Sequence, residues 1–165
     1  LGMNKGSAIF EKFCFVATQN TYFGHLSPRI KILGLLGFGL YQPVLTRVKG
    51  YFKTYFVNLG ESLPKGVSDD WRTLIMNRKS VNRLLEKTEN FSKNLHQEVL
   101  YLNMQDDDWI TETGMKLLMN ETYVNMKPIY RTVRPHESNG EEIGHINFFR
   151  AKHSKLWSIV FDWFS

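Results

Sequence analysis

The chain has 165 residues, 42% of them hydrophobic and 14% aromatic, with a formal net charge of +5. That composition excludes a disordered tail and suffices for a compact core, while the single cysteine, Cys14, excludes an internal disulfide framework and a cysteine-based zinc cluster. The charge is lopsided: residues 1–65 carry eight Lys or Arg against two Asp or Glu, and residues 66–165 carry thirteen against fourteen.

Leu1–Ser7 reads as the tail of a helix closed at Gly6, because glycine tolerates the left-handed backbone that commonly ends helices. On that reading the chain is a fragment, continuing from something before it. Phe13 to Ala17 is a continuous apolar run that predicts a strand buried on both faces, with Cys14 as a small hydrophobe within it. The polar stretch Thr18–His25 leaves the sheet. Ser27-Pro28 then starts a helix through Ile30, Leu33, Leu36 and Leu40, in which Gly34, Gly37 and Gly39 permit close packing and Pro43 imposes a break or bend. A second helical piece is expected over Val44–Phe52, a loop over Val57–Gly66 around Gly60 and Pro64, and a helix through Trp71, Leu74 and Ile75 capped by Ser68-Asp69-Asp70. Segment 27–87 therefore reads as a helical cap inserted between two strands. Its most apolar stretch, Ile32–Tyr41, is about half the length that spans a bilayer. No signal peptide is visible, so a cytoplasmic protein is the expectation.

Glu98–Met104 is apolar at its centre without alternation and predicts a central parallel strand. Asp106, Asp107 and Asp108 follow it, then a helix from about Thr111 to Asn120 and a third strand over Lys127–Val133. Phe148–Phe164 reads as a last helix with Phe149, Leu156, Trp157, Val160 and Trp163 on one face. Strand, helices, strand, helix, strand, helix is the pattern of an α/β protein with a parallel sheet.

Ligands of such sheets bind at the carboxyl ends of the strands, where the three aspartates lie. Helix capping with a solvated turn accounts for them, and so does orienting a histidine or holding a divalent cation. His145 sits in the loop after the third strand, beside Gly144, and is delivered to the same edge. A packed or exposed loop histidine is the alternative. Acid after one strand and histidine after the next is the chain order of α/β-hydrolase triads.

Three strings carry a more specific resemblance. Leu63-Pro64-Lys65-Gly66-Val67-Ser68-Asp69-Asp70-Trp71, Gln105-Asp106-Asp107-Asp108-Trp109 and Ile143-Gly144-His145-Ile146-Asn147-Phe148-Phe149-Arg150 resemble the cap, acid turn and histidine turn of a family of bacterial α/β-hydrolases described as serine aminopeptidase-like. Val16-Ala17-Thr18-Gln19 followed by Tyr22-Phe23 is similar to the family strand after the nucleophile helix. The resemblance implies the C-terminal portion of an α/β-hydrolase fold over residues 1–165. It implies His145 as general base and Asp107 as its orienting acid, with Asp108 the competing acid because adjacent aspartates blur the register. The nucleophile of a G-x-S-x-G elbow is absent, since none of the ten serines has those flanking glycines. The parent enzyme implied is a serine hydrolase acting on an ester, thioester or amide of a small hydrophobic acyl substrate, without cofactor or metal. The competing reading is a non-catalytic binding module. The singly spaced basic residues match no nucleic-acid motif, and a membrane surface is a secondary partner for the basic, apolar cap. His25 is placed near the pocket or in a plain loop, His96, His136 and His153 show no metal-ligand spacing, and Trp71, Trp157 and Trp163 read as packing residues.

Overall fold

Glu98–Met104, the clearest apolar run, becomes the middle strand of a parallel sheet. In the computed structural model, which describes residues 1–54 and 61–165, this sheet holds β1 (Lys12–Val16), β4 (Glu98–Met104) and β5 (Lys127–Val133) in the order β1-β4-β5. A second, antiparallel pair joins β2 (Tyr51–Phe52) to β3 (Leu63–Pro64). The chain divides into two compact units, Leu1–Gln19 with Asn90–Ser165, and Asn20–Glu89.

The first unit is built on the parallel sheet, flanked by helices α5 (Glu112–Glu121) and α6 (Trp157–Phe164). Val99, Leu100, Tyr101 and Leu102 of β4 are all buried, as a strand covered on both faces requires. Alternation splits them. Leu100, Leu102 and Met104 pack with Val133, Ile143, Phe148, Leu156 and Ile159, whereas the ring of Tyr101 meets Phe15, which in turn meets Tyr123. Cys14 pairs with Leu100 across the ladder, and burial pushes its thiol up to about 11. Trp163 of α6 donates its indole N–H to Phe13 O at 2.8 Å, and Lys12 Nζ lies over the Trp163 ring, fastening the last helix to β1.

Three expectations for this unit are corrected. The run Phe13–Ala17 is not a strand buried on both faces: β1 stands at the end of the strand order, is half-buried throughout and stops at Val16. Gly6 does not close a helix: it lies in a 3₁₀ turn, Lys5–Ile9, capped by Asn4 Oδ1. The left-handed glycine is Gly2 (φ +84°), where a Cβ would come within 2.8 Å of Ser92 Cβ. Nor is Phe148–Phe164 one helix. Two 3₁₀ turns, Asn147–Phe149 and Ala151–Leu156, precede α6, separated by extended backbone at Arg150, and this turns Phe149 outward.

The second unit contains the segment expected as a cap. Its first part is one right-handed helical run: α1 (Pro28–Gly34), a π-helical stretch (Leu35–Tyr41) and α2 (Gln42–Lys49). Pro43 does not break it. The Gln42 N–H reaches back five residues to Gly37 O, and this wider turn accommodates a residue that has no N–H to donate. α2 stops at Lys49, so the helical piece expected to run to Phe52 ends early and Tyr51–Phe52 enters β2 instead. Helix α3 (Lys65–Met76) begins before Ser68-Asp69-Asp70, which therefore lie inside it rather than capping it. There Ser68 Oγ donates to Lys65 O and Asp69 pairs with Lys65 Nζ. The expected loop is partly strand and helix, and its Gly60 lies outside the described residues. Helix α4 (Val81–Leu85) completes the unit, whose core gathers around Phe38, Phe52 and Ile75. Among the described residues no helix is long and apolar enough to cross a membrane.

Candidate active site

Parallel pairing of β4 with β5 brings the loops that leave their carboxyl ends to one edge of the sheet. Past β4 the ladder runs one bond further, Gln105 N–H to Val133 O, and the chain then turns tightly, with Asp107 N–H donating to Met104 O. That turn points Asp107 inward. Its carboxylate has no solvent exposure and accepts hydrogen bonds from the backbone N–H groups of Trp109 (2.8 Å) and Ile110 (3.3 Å). Its second oxygen lies 2.9 Å from His145 Nδ1, and the His145 side chain is 35% exposed. A carboxylate accepts only, so Nδ1 carries the proton in this pair and Nε2 is left as the basic nitrogen.

The other two aspartates do different things. Asp106 accepts from the N–H groups of Ile143 (2.8 Å) and Gly144 (3.2 Å), tying the exit of β4 to the loop that presents His145. Asp108 is exposed. Helix capping, offered as one account of the run, falls to Thr111, whose Oγ1 accepts from Gly114 N–H at the start of α5. Two further residues bear on the histidine. The Trp109 ring stacks on His145 at 5.9 Å with the planes 24° apart. Gln19, beyond β1, donates to Trp109 O and accepts from Thr111 N–H, pinning that segment at both ends.

No family model, curated protein or solved structure matches this chain.

The remaining candidates are dispersed. His25 sits in a 3₁₀ turn of the second unit with its ring 5.2 Å from that of Tyr22. His96 and His136 are exposed. Among the described residues no group of three or more His, Cys, Asp or Glu side chains is arranged to hold a metal ion. Trp71 stacks on Phe38 at 6.3 Å, and the indole of Trp157 donates to Phe148 O. Sequence reasoning gave His153 no partner, yet it is fully buried with Nδ1 3.0 Å from Ser138 Oγ. A cavity of about 320 Å³ lies beside α6, lined by Phe148, Phe149, Trp157, Val160 and Phe161.

Gly144 has φ +56°, and a Cβ there would meet only Glu142 Oε1 at 3.5 Å. Space is not the constraint; backbone strain is. Gly144→Ala is expected to cost about 1 kcal/mol in urea unfolding. An unchanged midpoint would show that the loop relaxes to negative φ without loss.

Proposed function

We propose that Asp107 and His145 are the acid and the base of a serine-hydrolase triad, within the C-terminal portion of an α/β-hydrolase fold. The observation that carries the reading is the 2.9 Å contact between a fully enclosed carboxylate and His145 Nδ1 at the carboxyl ends of adjacent parallel strands. It is supported by the chain order, acid after β4 and histidine after β5. His145 Nε2 takes the proton from a serine hydroxyl as its oxygen attacks the acyl carbonyl, then returns it to the departing alcohol, thiol or amine. Asp107 holds the ring in orientation and supplies the counter-charge to the imidazolium formed on the way. The substrate is a small ester, thioester or amide with an apolar acyl group.

The nucleophile is not in this sequence, because no serine has the glycine-flanked setting of the elbow. The test is to express the reading frame with whatever coding sequence precedes Leu1 and to treat the product with a fluorophosphonate. Labelling that falls by about a thousandfold or more in His145→Ala and Asp107→Ala supports the assignment. Equal labelling of the His145 variant removes it. The absent elbow also favours a second reading, a non-catalytic hydrolase-like binding module; it gains if the preceding sequence encodes no strand–G-x-S-x-G–helix unit.

A further inference from the structure

The helical run from Pro28 to Lys49 is apolar on two sides. Its inward face holds Ile30 and Phe38 with Gly34 and Gly37, together with Gln42, fully buried and donating to Ser68 Oγ and Asp69 Oδ1, and Thr46, 4% exposed. The opposite face is apolar and open to solvent: Ile32 is 61% exposed, Leu35 42%, Leu36 54%, Leu40 65%, Val44 57% and Val48 76%. A helix of a water-soluble domain buries its apolar stripe and shows its polar one. Contiguous exposed apolar surface on this scale marks an interaction site.

Geometry makes these residues a ridge rather than scattered points. Ile32, Leu36, Leu40, Val44 and Val48 recur every four residues over about 24 Å. On a 3.6-residue helix such steps drift around the axis. The wider turns of the π-helical stretch between Leu35 and Tyr41 offset part of that drift.

Charge selects the partner. Arg29 and Lys31 are exposed at one end of the run, and Arg47 and Lys49 at the other. The sequence from Lys12 to Gly60 contains no Asp or Glu at all. An apolar ridge bracketed by cations, on a stretch of chain that carries no acidic residue of its own, matches a bilayer surface: side chains enter the acyl boundary while the basic ends meet anionic headgroups. We propose that this face of the Pro28–Lys49 run docks the protein on an anionic lipid bilayer, lying along the interface rather than crossing it. The proposal is independent of the hydrolase reading.

The test is co-sedimentation of the full chain with phosphatidylcholine vesicles containing about 30 mol% phosphatidylserine at low salt. The chain is expected to sediment with them and to bind pure phosphatidylcholine at least about tenfold more weakly. Leu36→Glu with Leu40→Glu should abolish binding, and Arg47→Gln with Lys49→Gln should weaken it about tenfold while leaving circular dichroism unchanged. All four side chains are exposed, so both variants keep the core intact. Wild-type chain that stays in the supernatant overturns the proposal, as does sedimentation that neither variant alters. Conversion of a dimer to a monomer by the leucine substitutions, with no vesicle binding in either form, overturns it in favour of a second copy as the occupant.

Discussion

Asp107→Ala is expected to lower stability by about 2–4 kcal/mol and to release the His145 ring. The carboxylate is enclosed and serves three donors at once, the N–H groups of Trp109 and Ile110 and the Nδ1–H of His145. Truncation leaves the partly buried N–H groups of Trp109 and Ile110 without their acceptor, and each buried group left unpaired costs about 1–3 kcal/mol. Asp107→Asn separates charge from shape. Its amide oxygen still accepts from the two backbone groups, so most of the stability survives. Its NH2, however, faces Nδ1 and obliges that nitrogen to accept, driving the ring proton to Nε2. Nitrogen-15 NMR of the His145 ring reads the tautomer directly, and urea unfolding reads the stability. An asparagine variant that keeps the proton on Nδ1 would mean that Asp107 does not set the tautomer. A full stability loss from Asp108→Ala would place the essential acid one residue later.

Phe148→Ala should cost more, about 3–5 kcal/mol. The ring is 1% exposed and packs with Leu100, Leu102, Met104, Ile143 and Leu156, while its carbonyl accepts the Trp157 indole N–H. A stability of about 5–15 kcal/mol is usual for a domain, so a loss of this size removes a large share of it. Phe148→Leu, which keeps most of the volume, is expected to cost less than about 1.5 kcal/mol. Phe148 lies three residues beyond His145, so the alanine variant also frees the end of the loop that Asp106 fixes at Ile143 and Gly144. Denaturant midpoints for the two variants check the pair. Equal costs would show that the ring's bulk contributes nothing that a branched side chain lacks.

The sheet was the most legible part of this sequence. β4 and β5 stand as bounded runs, and the residues after them, Asp107 and His145, converge because parallel strands deliver their exits to one edge. What bears on His145 besides Asp107 was not legible. Asp106 acts on backbone amides, which no side chain announces, and Gln19 and Trp109 come together only through folding. Ser138 and His153 are fifteen residues apart in irregular segments, where no periodicity links them. Two-residue strands such as β2 and β3 are too short to show alternation. The helical run misled in a more instructive way. Hydrophobic spacing finds an apolar stripe, but only structure shows that Phe38 and Gln42 face the protein while Leu35, Leu36 and Leu40 face solvent.

The sheet joins stretches of chain that are unequally far apart, with consequences for how it is assembled. β4 and β5 are separated by 22 residues, β1 and β4 by 81. The entropy of closing a flexible loop grows as the logarithm of its length, to roughly 2.7 kcal/mol for the first pairing and 3.9 kcal/mol for the second. The β4–α5–β5 segment is thus the cheaper nucleus, and β1 is the costlier strand to recruit. Most of the long excursion is the Asn20–Glu89 unit, and every residue of it that is already folded shortens the loop left to close. The speed at which the sheet completes is then governed by a segment that contributes no strand to it.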